Sequence, residues 1–165
     1  MMDPLLATNQ EHQAKLVAHV ERLHGLAEMV DAETAFALRA GLDEEWPFLQ
    51  GGLLPHIEAV EATLYPRLEG LMGPRHSMDP MRDEHAEVRR LVETVGGYRR
   101  ELAEEGALAP DASMGLRRAL YRLHALMRVH LAEEAMYLRV LDQHLSDEER
   151  AVVARGIDHA AREPL

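Results

Sequence analysis

His130 and Glu134 stand one helical turn apart in a stretch otherwise made of core-forming residues. At helical spacing Leu116, Leu120, Leu123, Met127, His130, Glu134, Tyr137 and Leu141 share one stripe, because residues three and four apart lie on one helix face. Burying an ionised carboxylate costs several kcal/mol or more unless it is paired or bound to a cation. His130 and Glu134 therefore need a partner inside the fold. Imidazole with carboxylate is a donor set suited to iron, manganese or zinc.

Three further histidines sit at inward positions on other helical stripes. His12 lies on the stripe His12, Leu16, His19, Leu23, Leu26, Val30. His56 lies on Leu42, Trp46, Leu49, Leu53, His56, Val60, and His85 on Met78, Met81, His85, Val88, Val92, Val95. A lone core histidine is ordinarily a hydrogen-bonded structural residue. Convergence of several would change that reading.

These stripes require four long helices. The first runs from about Asn9 to Val30, with Thr8 and Glu11 as a capping box. The second spans about Thr34 to Leu71, with Pro47, Gly51-Gly52 and Pro55 predicting one bent helix. The third covers about Asp79 to Glu105, and the fourth starts after Asp111 or Ser113 and reaches about His144. Ser146 with Glu149 opens a short amphipathic tail helix to about Ala161. Short loops between long helices predict an all-α, up-down-up-down four-helix bundle over about residues 8–145, with a tail helix at about 146–161, as one domain over 1–165. Measured from their shared loops, His12 matches His56 in height and His85 matches His130, each pair within about one turn. The joint between the second and third helices fits only if the second ends early, near Pro66.

Composition excludes other chemistries. The formal charge of −11 and scattered arginines argue against nucleic acid or an anionic membrane as partner. The chain has no cysteine, which removes disulfides, thiolate catalysis and iron–sulfur ligation. No apolar run reaches the ~20 residues of a membrane span, and no signal peptide is visible. A cytoplasmic protein is expected. There is no phosphate loop, no nucleophile elbow and no Asp-rich calcium loop, and no catalytic residue can be named.

The segments Glu-His-Gln (11–13), Leu-Leu-Pro-His-Ile-Glu-Ala-Val-Glu-Ala-Thr-Leu-Tyr-Pro (53–66), Arg-Asp-Glu-His (82–85) and His-Leu-Ala-Glu-Glu (130–134) resemble the hemerythrin-like, HHE cation-binding domains, especially a bacterial branch. The resemblance spans residues 8 to about 145 in the right order. It implies a bundle holding an oxo- or hydroxo-bridged di-iron centre that binds or senses dioxygen, handles iron, or reacts with peroxide or nitric oxide. A catalase-like or oxidase-like activity is one form this could take. The family pattern lands on His12, His56, His85, His130 and Glu134. Monomer and homodimer are both compatible with it.

One position departs from that pattern. The carboxylate expected four residues after His56 is Val60, and Glu61 follows, about 100° further round an ideal helix. A π-bulge between His56 and Glu61 would swing Glu61 inward as a ligand. Alternatively Tyr137 supplies the missing oxygen. Or the site holds one metal or none, and the chain is a metal-poor bundle acting as a regulatory or protein-interaction module. His19 is an alternative to His12, and His124 a packing histidine or a supporting partner. Glu58 points away from His56, and Tyr65 is expected at the surface or an interface. His76, His144 and His159 are expected in solvent.

Overall fold

The computed structural model describes residues 4–161, with side chains for 12–156. Among the described residues there is no strand. Seven α-helices follow one another: α1 (Pro4–Met29), α2 (Ala35–Pro47), α3 (Leu54–Thr63), α4 (Tyr65–Met72), α5 (Asp79–Glu105), α6 (Pro110–Asp142) and α7 (Asp147–Ala161). A π-helical segment, Phe48–Leu53, joins α2 to α3. None of the helices is long and apolar enough to cross a membrane.

The helix ends obey their capping chemistry, with one correction. α1 begins at Pro4, so Thr8 lies within it instead of capping it. The Thr8–Glu11 side chains lie outside the described residues. Asp31 takes the left-handed conformation (φ 65°) that turns the chain towards α2, a region Asp tolerates better than most residues. Thr34 caps α2 by accepting from Ala37 N–H at 3.2 Å. α5 ends on Gly106 at φ 76°, where a side chain would be strained. The Ser146 box forms as expected: Glu149 Oε2 accepts from Ser146 N–H at 2.8 Å, and Ser146 Oγ accepts from Glu149 N–H at 3.4 Å.

The second long helix is broken into pieces. Proline has no N–H to continue the ladder, and Pro47 and Pro55 flank the π segment, within which the Leu54 N–H reaches back five residues to Leu49 O. The extra residue rotates everything upstream by about 100° relative to α3. In α2 Glu45 is buried together with Leu38 and Leu42, while Trp46 is only partly buried. A second lapse falls at Leu64, where Pro66 cannot donate to the carbonyl four residues back. The π turn thus lies upstream of His56, and α3 is regular from His56 to Glu61. The bulge expected between those two residues is absent.

α1 packs along α6 and α2, and α5 packs along α6 and α2; α7 lies against α3 and α1. Two apolar clusters result. The larger holds Leu16, Val20, Leu53, Ile57, Val88, Val92, Met127 and Leu131 among others. The smaller holds Val60, Leu64, Tyr65, Met78, Met81, Leu138, Leu141 and Val153. On α3, α5 and α6 the chain passes from one cluster to the other through His56, His85 and His130–Glu134 respectively. A polar layer therefore separates two greasy ones.

Candidate functional site

The centre of the layer is closed to water, and His12 at its edge is partly buried. His56, His85, His130 and Glu134 are each at most 1% exposed. His12 reaches them from α1, with Nε2 2.9 Å from His56 Nδ1. His56 Nε2 is 3.2 Å from Glu134 Oε2, and that same oxygen lies 3.8 Å from His130 Nε2. His85 Nε2 and His130 Nε2 face each other at 2.9 Å. One carboxylate thus stands between two imidazole pairs, His12–His56 and His85–His130. The five residues brought together are the five named from the family pattern.

Two half-exposed carboxylates hold the second pair from behind. Glu61 Oε1 accepts from His85 Nδ1 at 2.8 Å, and Arg89 binds both Glu61 oxygens at 3.0–3.1 Å. Glu84 Oε2 accepts from His130 Nδ1 at 2.8 Å. Glu61 was expected as the inward carboxylate beside His56. Without a bulge in α3 it instead points towards α5 and grips the outer nitrogen of His85. Val60 is plain core, fully buried in the smaller apolar cluster.

The phenol of the layer is Tyr65, not Tyr137. Tyr65 is fully buried, with its hydroxyl 3.3 Å from His85 Nε2 and its ring stacked on that imidazole at 5.4 Å. On a straight helix, residue 65 would lie half a revolution from His56. That is the side of the helix that carries Glu61, and both side chains meet His85 on α5, so Tyr65 lies between helices inside the fold and not at the surface. Tyr137 packs partly buried on the smaller apolar cluster.

The remaining histidines lie elsewhere. His19 stacks on Phe48 at 4.0 Å and bonds the buried Glu45 at 2.5 Å, beside Arg22. It does not replace His12. His124 sits on the α1-facing side of α6 near Glu21 and His24. His76 and His144 are exposed, as expected, and His159 lies outside the residues with described side chains. Glu84 and Tyr65 are the two site residues that sequence reasoning missed. Glu84 precedes an inward histidine, and Tyr65 lies on the Glu61 side of its helix, so each had a signal.

The electrostatics of the layer follow from its bonds. A carboxylate oxygen can only accept, so the Nδ1 atoms of His85 and His130 carry hydrogens. Each ring, if neutral, then turns an Nε2 lone pair inward, and two lone pairs face one another at 2.9 Å. Something positive must lie between them: a proton or a cation. Of the two rings, His130 has the surroundings that favour a proton. Burial disfavours charge there, but the hydrogen bonds and charges of Glu134 and Glu84 outweigh it and raise the His130 pKa. Burial and the neighbouring His130 push His85 down to about 4. Burial would raise the Glu134 carboxyl, yet His56 and His130 hold it well below the usual carboxylate range. Burial, followed by the charges of Glu134, Glu61 and Glu84, pushes the Tyr65 phenol well above its ordinary range.

In residue type the layer offers donors that transition metals favour. It comprises four imidazoles, one buried carboxylate and one phenol, with carboxylates fixing two of the rings in the tautomer that presents Nε2. As the side chains stand they bond to one another. Among the described residues, no group of three His, Asp or Glu side chains is placed to hold a metal ion. No family model, curated protein or solved structure matches this chain.

Proposed function

We propose that this chain is a hemerythrin-like metalloprotein: an up-down-up-down bundle of α1, the α2–α4 segment, α5 and α6, with α7 as its tail, binding non-haem iron in the polar layer. The facing Nε2 atoms of His85 and His130 carry this reading, because lone pairs aimed at one another call for a cation between them. His85, His130 and Glu134 would hold one ion, and His12 and His56 with the same carboxylate a second. Manganese or zinc suits the donors as well, and iron is the choice the family resemblance favours. Such a centre supplies an open coordination position for dioxygen, peroxide or nitric oxide.

The protein's own part is to prepare that centre. Glu61 and Glu84 keep two imidazoles turned inward, and Arg89 fixes Glu61 in turn. Two apolar clusters exclude water above and below, which strengthens each charge interaction inside. The Tyr65 phenol stays protonated at neutral pH and can donate a hydrogen bond towards the layer.

A second reading has one observation in its favour. A proton on His130 also resolves the facing lone pairs, and Val60 occupies the family's carboxylate position, so the layer can close without metal as a regulatory or interaction module. Metal analysis and absorption spectroscopy of the purified chain separate the two. About two irons per chain with a near-ultraviolet charge-transfer band is expected. No iron after anaerobic reconstitution refutes the metalloprotein.

A further inference from the structure

The outward face of α6 is apolar over about four turns. Ala125, Val129, Ala132, Met136 and Val140 follow one another at steps of three and four residues, so they form one stripe opposite the buried one. All five are exposed, Val129 by 56% and Met136 by 55%. Scattered apolar residues at a surface are ordinary, whereas a contiguous stripe marks a place of contact. Neither neighbouring helix covers it. Arg128 leans to Glu21 on α1 and Arg122 to Glu87 on α5, and the stripe runs between those two seams.

The charges along this face are ordered. Over residues 112–132, α6 carries Arg117, Arg118, Arg122 and Arg128 and no acid, in a chain of net charge −11. The acids come at the other end, as Asp142 and then Asp147 and Glu148 where α7 opens. Arg118 and Glu148 are both exposed, and neither has an ion pair among the described residues.

We infer that the stripe is the contact between two copies of this chain, paired antiparallel through α6 about a two-fold axis. Such a contact must match residue i with j and j with i. With the axis level with the midpoint of residues 132 and 133, Ala125 faces Val140 of the partner subunit, and Val129 faces Met136 of the partner subunit. Apolar meets apolar throughout, and the two alanines let the helices approach closely. The same register sets Arg118, roughly 22 Å from the axis, just past the end of the opposing α6, beside Glu148 of the partner subunit. A parallel pair would instead set Arg118 and Arg122 against themselves. The order of charge is what a self-pairing face needs, and a helix of another protein would not call for it. One residue opposes the arrangement: Glu133, half-buried at the edge of the stripe, comes close to its own copy at the axis. A footprint of about 24 by 10 Å is well below the ~800 Å² per partner of a standard interface, so the dimer is a weak one. The contact draws on no residue of the buried layer and stands or falls separately from the iron reading.

Sedimentation of the full chain from about 1 to several hundred micromolar tests it, with the M136E, E133Q, R118E and E148R variants and the R118E/E148R double variant. The parent is expected to pass from monomer to dimer across that range. M136E puts a charge into the contact from an exposed position, so it keeps the parent's helicity and melting temperature while weakening the dimer about tenfold or more. E133Q should tighten it about twofold. R118E and E148R should each weaken it about two- to tenfold, and the double variant should recover the parent's constant. A parent that stays monomeric overturns the inference, and binding of that monomer to zwitterionic vesicles would give the stripe to a membrane instead. A dimer indifferent to M136E, or charge variants that weaken it without recovery in the double variant, overturns it as well.

Discussion

Replacing Glu134 by glutamine keeps its shape and removes its charge from the centre of the polar layer. That carboxylate accepts from His56 Nε2 at 3.2 Å and faces His130 Nε2 at 3.8 Å, at 1% exposure. Solvent screening is therefore slight. A hydrogen bond to a charged group is worth about 1.5–3 kcal/mol, and the longer ion pair adds to it. We expect E134Q to lose about 2–4 kcal/mol, or roughly 4–16 °C in melting temperature for a domain of this size. The loss should depend on pH in a defined direction. The Glu134 pKa is lowered from 4.5, so its contribution is present above that value and disappears as pH falls through the lowered pKa. The His130 pKa is raised from 6.5, so its contribution is complete below 6.5 and fades as pH rises through the raised pKa. The gap between parent and variant should be widest between about pH 5 and 6.5, and narrow in mild alkali. Urea titrations of chelator-treated protein at several pH values measure the gap. Imidazole resonances of His130 should report a lower pKa in the variant. Equal stability at pH 6 with an unmoved His130 titration would refute this account of the layer.

Three other outcomes follow from the same structure. Glu61→Ala and Glu84→Ala should each weaken iron loading roughly 10–100-fold by freeing an imidazole ring, whereas Glu58→Ala, which removes an exposed side chain, should leave it unchanged; equal effects of E61A and E58A in iron titrations would count against the assignment. Gly96→Ala should destabilise by about 1–3 kcal/mol in chemical denaturation, because the added β-carbon runs into the Trp46 ring packed on α5. Ser146→Ala should cost about 1 kcal/mol through loss of the α7 cap, seen as faster amide exchange in the first turn of α7, with exchange in α5 unaltered.

The helices were legible wherever capping and periodicity agreed. α5 runs over Asp79–Glu105 as its spacing foretold, and Ser146 with Glu149 opens α7. The α2–α4 segment was legible only as disturbed. Its prolines and glycines announced breaks without saying which would become a π turn, since several local backbone solutions differ little in energy and packing selects among them. The π turn lies before His56 and not between His56 and Glu61, so Glu61 turns towards His85. Tyr65 does face away from His56, but the α5 helix with His85 stands on that side and buries it.

The sequence by itself determined which residues share a layer. His12, His56, His85, His130 and Glu134 lie on inward stripes, and for antiparallel neighbours a residue's distance from the shared loop fixes its height. That much is one-dimensional arithmetic with a 1.5 Å rise. Tertiary structure decided which way each ring faces and what stands behind it. Glu84 and Glu61 bond outer nitrogens, and Tyr65 stacks on His85, because the packing of α5 against its neighbours brings those side chains within bonding distance. Rotation about a helix axis and the tilt between helices are set by side-chain packing across elements. The residues were written in the chain, and the direction of their lone pairs was settled only in the fold.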